Sequence, residues 1–64
     1  MNTARNKLIE YRKKQGLTQE ELAKRVNISR AYLCNLENGK YTPSLEVAYN
    51  IAHHLNTSID ELFF

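Results

Sequence analysis

One cysteine in 64 residues rules out an intrachain disulfide framework, and no CxxC or Cys/His spacing points to a structural metal. Stability must come from helix packing, completed by a partner chain where the chain's own core falls short. A single proline and two glycines are present; they fall between periodic segments, as a compact all-helical domain requires. No hydrophobic run approaches the ~20 apolar residues that cross a bilayer. No signal peptide is evident, so the expected location is the cytoplasm. No nucleophile is paired with a base and no ligand cluster gathers, so an enzyme has no support; no cofactor or small-molecule ligand is expected. Basic residues are missing from one end. Residues 43–64 hold three acids and no Lys or Arg, whereas residues 1–42 hold all nine Lys and Arg against four acids. The net charge of +2 says little; its distribution suits a basic face for phosphate and a less basic region elsewhere. Small helical proteins also divide charge this way by chance, so charge alone assigns no partner.

What remains is helical. A chain of 64 residues makes one domain, 1–64, near the lower limit for folding without staples. Five helices are expected, and nothing alternates as a strand. The first runs from about Thr3 to Gln15, with Ala4, Leu8 and Tyr11 on one face, and ends at Gly16. In the second, Thr18 and Glu21 form a capping box, and Leu17 and Leu22 a hydrophobic staple. Leu22, Ala23 and Val26 recur along one side, and Asn27 ends the helix in the left-handed region. The third opens on Ser29 as N-cap, with Ile28 and Leu33 as staple, and stops at Asn38-Gly39. The fourth, capped by Ser44 or Thr42, carries Leu45, Ala48, Ile51, Ala52 and Leu55 at core spacing and ends at Asn56. Ser58 and Glu61 form a further capping box that opens a short last helix.

The third helix divides its faces. At about 100° per residue, Leu33 and Leu36 fall on a buried side, and Arg30, Ala31, Cys34 and Asn35 on the opposite one. Those outward residue types suit base edges: Arg for guanine, Asn for adenine, Ala for a thymine methyl. The stretch 18–39 resembles the helix-turn-helix of the Cro/XRE family of small repressors. The match is carried by Gly16-Leu17-Thr18-Gln19-x-Glu21-Leu22-Ala23, Ser29, Leu33 and Leu36-Glu37-Asn38-Gly39-Lys40. It continues through Pro43-Ser44-Leu45 to Ile59-Asp60-Glu61-Leu62-Phe63, nearly the whole chain.

The resemblance implies a compact five-helix, lambda-repressor-like all-α domain that is the entire protein, with its helix-turn-helix at about 18–37. It implies sequence-specific binding of double-stranded DNA through the helix at about 29–37. The expected base-reading residues are Ser29, Arg30, Ala31 and Asn35, with Tyr32 close by. Arg12 is expected to pair with Glu37 and turn guanidinium hydrogens towards phosphate. Gln19 is expected against phosphate and the start of the reading helix, beside the backbone amides of its own helix N-terminus. Thr18, Asn38, Lys40 and Thr42 complete the phosphate set. Ile59, Leu62, Phe63 and Phe64 concentrate apolar surface at the acidic end. A homodimer joined there matches both related regulators and operators with two half-sites. The expected outcome is repression at an inverted-repeat operator, activation being the alternative.

Other readings carry less. Cys34 on the outward side suggests a redox switch, but the chain has no resolving cysteine. His53 and His54 point about 100° apart and cannot easily share a metal; one is expected at the core edge and the other in solvent. An antitoxin shares this fold, but the chain has no spare length for a toxin-binding tail. A pure protein-interaction module is opposed by Arg30, Asn35, Gln19, Thr18 and Lys40.

Overall fold

A computed structural model describes residues 7–63. These form five α-helices: α1 (Leu8–Lys14), α2 (Gln19–Arg25), α3 (Arg30–Glu37), α4 (Leu45–His54) and α5 (Ile59–Phe63). The architecture is all-α, with no strand among the described residues.

The starts and stops follow local chemistry. Thr18 Oγ1 accepts from Glu21 N–H at 3.0 Å, and the Glu21 carboxylate accepts from Thr18 N–H at 2.9 Å, a complete capping box. Ser29 and Ser44 cap α3 and α4 in the same way, accepting from Tyr32 N–H and Val47 N–H. Helices α1 to α4 end in one motif, in which the residue after the C-cap takes a positive φ. These residues are Gly16 (72°), Asn27 (62°), Gly39 (76°) and Asn56 (57°). The following amide then reaches back five residues: Leu17 to Arg12, Ile28 to Ala23, Lys40 to Asn35 and Thr57 to Ala52. Glycine and asparagine are the residue types that enter this conformation at least steric cost. These endings let four short helices reverse direction in few residues.

Leu8, Leu22, Leu33, Leu36, Ile51, Leu55 and Leu62 are fully buried and form the centre of the core. Each contributes about 1.5–3 kcal/mol by leaving water. Tyr11, Leu17, Ile28, Tyr32, Val47, Ile59 and Phe63 pack around them, half-buried.

Several expectations need correcting. Helix α1 begins at Leu8; Thr3 and Ala4 lie outside the described residues. Lys7 is the N-cap, with non-helical φ −107° and ψ 26°, and its N–H donates to the Leu62 carbonyl at 2.7 Å, which binds the start of α1 to α5. Leu45 follows the core spacing yet is 76% exposed, since it occupies the first turn of α4, where the core does not cover it. Ser58 caps α5 by accepting from Glu61 N–H at 3.2 Å, but the Glu61 carboxylate is turned to the Tyr11 hydroxyl, 3.1 Å away. Both His53 and His54 are exposed. His53 stacks on Tyr49, and His54 Nδ1 donates to the Asn50 carbonyl at 3.0 Å.

Candidate nucleic-acid interface

The turn between α2 and α3 sets the site. Asn27 ends α2 in the left-handed region, Ile28 dips into the core, and Ser29 begins α3 two residues later. With so few residues between the helices, their relative angle is fixed by caps and core contacts. Helix α3 buries Leu33, Leu36 and Glu37 on one side. Ser29, Arg30, Ala31 and Asn38 are exposed, while Tyr32, Cys34 and Asn35 are half-buried. The face expected from helical spacing is therefore the face that α3 presents. Thr18, Lys40 and Thr42 are exposed at the flanking turns, and Gln19 is half-buried between α2 and α3.

A polar network runs from the interior to this face. Arg12 Nε donates to Glu37 Oε2 at 2.6 Å and its Nη2 to Glu37 Oε1 at 3.3 Å. Its Nη1 donates to the Leu17 carbonyl at 2.8 Å. The pair expected from the resemblance is thus made, and it braces α1 to α3. The Arg12 side chain is 11% exposed, and these three bonds use three of the five N–H groups of its guanidinium. Gln19 Nε2 donates to Glu37 Oε1 at 2.8 Å, and Gln19 Oε1 accepts from Arg30 Nη1 at 3.2 Å. The Gln19–Glu37 link was not legible in sequence, because its partners lie 18 residues apart on different helices. Beside this network the rings of Tyr32 and Tyr41 meet at 6.1 Å between centroids, which anchors the loop after α3. Asn38 Nδ2 donates to Cys34 Sγ at 3.6 Å.

The capping box carries the one resolved shift in acidity. The Thr18 backbone N–H holds the Glu21 carboxyl below its ordinary value of 4.5. Desolvation opposes this, and the Thr18 hydroxyl and Arg25 add weaker effects in the lowering direction.

At the acidic end, Leu62 is fully buried in the core and offers no surface to a partner. Ile59 and Phe63 are half-buried, one turn apart on α5; Phe64 lies outside the described residues. A groove of about 440 Å³ separates α4 from the start of α5, lined by Tyr49, His53, Ile59 and Asp60 among others. Tyr49 is 62% exposed at its edge, one turn from Leu45 on α4.

Comparison with known proteins agrees with this geometry. A helix-turn-helix family model matches residues 8–62. A helix-turn-helix-type transcriptional regulator of Archaeoglobus fulgidus is 51% identical over 59 residues, covering 92% of this chain and 84% of that protein. Among solved structures, the restriction-modification controller protein C.AhdI from Aeromonas hydrophila matches with a TM-score of 0.81 at 35% identity, over 89% of this chain and 86% of that one. SinR, a master regulator for biofilm formation solved in complex with DNA, matches with a TM-score of 0.77 at 27% identity, over 84% of this chain and 87% of that one. None of the helices among the described residues is long and apolar enough to cross a membrane. The chain belongs to the helix-turn-helix family of DNA-binding transcriptional regulators, and it is not an enzyme.

Proposed function

We propose that this protein is a homodimeric repressor that binds an inverted-repeat operator, with α3 of each copy in a major groove. The observation that carries the reading is the makeup of α3. It buries Leu33 and Leu36 and leaves Arg30 and Ala31 exposed, with Asn35 half-exposed beside them. Arg30 reads a guanine edge and Asn35 an adenine edge, while Ala31 touches a thymine methyl and Ser29 lies close to the same bases. Thr18, Asn38, Lys40 and Thr42, exposed at the flanking turns, meet phosphates and set the register. Arg12 acts behind them by holding Glu37.

Dimerisation is supported by energetics and by surface. One small module buries too little DNA for tight binding, and two half-sites lie about one helical turn, ~34 Å, apart. The joining surface is the apolar region of α5 and its neighbour, with Ile59 and Phe63 extended by the exposed Tyr49 and Leu45. A dimer seated on promoter DNA in the cytoplasm represses by excluding polymerase.

The test is a selection of random duplexes on the purified protein at ~150 mM salt, followed by sequencing of the bound pool. An inverted repeat with half-site centres about 10 bp apart is the expected result. A single half-site would overturn the dimer. A pool without a motif, bound weakly and with steep salt dependence, would overturn specific readout altogether.

A further inference from the structure

The outer face of α4 carries Leu45, Tyr49 and His53 four residues apart, and all three are exposed. His53 lies on the α4 wall of the groove between α4 and α5, and Asp60 lies on the α5 wall. The His53 ring stacks on Tyr49 with 6.3 Å between centroids and 17° between planes, and it meets the His54 ring edge-on at 5.6 Å. The rest of the groove lining carries no charge. Among the described residues neither His53 nor Asp60 enters an ion pair within the chain.

Charge limits how a second copy can cover this surface. Residues 43–64 hold Glu46, Asp60 and Glu61 and no Lys or Arg. The side chains there that can become cations near neutral pH are therefore His53 and His54. Setting like against like would bring carboxylates together with no basic residue between them. A two-fold axis along the groove does the opposite, because it sets each wall against the other wall of the second copy, so that residue i meets j and j meets i. We propose that His53 and Asp60 form two reciprocal ion pairs across the homodimer, which makes its association proton-linked. This rests on the α4–α5 surface being the joining surface.

The sign follows from the pairing. Histidine ordinarily changes charge between pH 5 and 8, a range in which an aspartate stays ionised. A carboxylate brought to the imidazole by association favours the imidazolium, so dimerisation takes up protons. It strengthens as pH falls from 8 to 6, and the gain is lost as pH rises again. The other charged groups do not alter that difference. His54, with Nδ1 3.0 Å from the Asn50 carbonyl, and Glu46, two turns earlier on α4, act on His53 in monomer and dimer alike. Glu61 is turned to the Tyr11 hydroxyl. At roughly threefold in association for each exposed pair, the two pairs give about tenfold.

Sedimentation equilibrium between pH 8 and pH 6 at ~150 mM salt gives the dimer dissociation constants of wild type, His53→Gln, Asp60→Asn and His54→Gln. Both members of the pair are exposed, so these changes leave the core intact. A wild-type chain that stays monomeric at every pH fails the dimer reading and this inference with it, whereas a dimer indifferent to pH overturns this inference alone. Wild type should dimerise about tenfold more tightly at pH 6 than at pH 8. His53→Gln and Asp60→Asn should each remove that gain, and His54→Gln should keep it. His53→Lys carries its cation at pH 8, so it should dimerise there as tightly as wild type does at pH 6, and adding Asp60→Asn should cancel the improvement. A dimer that weakens towards acid would overturn the pairing, and so would a gain that survives Asp60→Asn.

Discussion

Replacing Glu37 by leucine should unfold much of this protein, whereas replacing Arg12 and Glu37 together should not. Glu37 is 2% exposed and Arg12 9%, with 2.6 Å between Nε and Oε2. Taking either ion out of water costs several kcal/mol even after relaxation, and their mutual attraction offsets this only while both are present. Glu37→Leu leaves the Arg12 guanidinium in the interior with only the Leu17 carbonyl as acceptor. Arg12→Met leaves the Glu37 carboxylate with only the Gln19 amide. Each single change should therefore cost about 3–5 kcal/mol. A chain of this size has a total stability of about 3–10 kcal/mol, so either variant is left near or below its folding threshold. At roughly 4–8 °C per kcal/mol, the melting temperature falls by ~12–40 °C. The double variant Arg12→Met/Glu37→Leu removes both desolvation penalties and fills the space with apolar atoms, so its stability should return to within about 2 kcal/mol of wild type. Urea unfolding of the four proteins, followed by far-UV circular dichroism, gives the cycle directly. The reasoning is refuted if a single variant loses less than about 1 kcal/mol, or if the double variant loses the sum of the two singles.

Arg30→Ala should cost about 1–3 kcal/mol in specific binding and relax one base position, as read from affinities for single-base operator variants. Leu45→Asp changes a residue that is 76% exposed, so it should leave the melting temperature of a single folded chain nearly unaltered. In sedimentation, however, the dimer should dissociate at micromolar concentration. Leu62→Ala acts the other way, lowering stability by about 2–5 kcal/mol through a core cavity, with no effect specific to association. For Glu21, a folded-state pKa below 4.5 means that its capping contribution is present above that value and is lost as pH falls through the lowered one. Glu21→Gln keeps a cap without a charge, so its stability difference from wild type should vanish below that window and be constant near neutrality.

Features that depend on residues three to six apart were legible in the sequence. The Thr18–Glu21 box, the serine caps and the left-handed Asn27 and Asn56 follow from side chains acting on their own turn of backbone. The buried and exposed sides of α3 followed from its period, because one helix face must meet α2. Leu45 misled because periodicity records which side of a helix a residue occupies but not whether another element reaches that far along the axis. Leu62 was mistaken for surface for a related reason. A short apolar segment reads the same whether a core or a partner receives it, and here the core of the same chain does. The Gln19 bridge required two helices to be placed before its partners could meet.

The closure of α1 on α5 bears on the order in which the protein gains and loses structure. Tyr11 and Glu61, hydrogen-bonded at 3.1 Å, are 50 residues apart, and Lys7 with Leu62 closes the same loop. Bringing such distant segments together costs chain entropy before any contact offsets it, so this seam forms late in folding. Helices α2 and α3 meet across a short turn and can assemble early. During unfolding the order reverses. Substitutions along the α1–α5 seam should therefore accelerate unfolding while leaving the folding rate nearly constant. The α2–α3 pair is then the last part of the molecule to lose its shape.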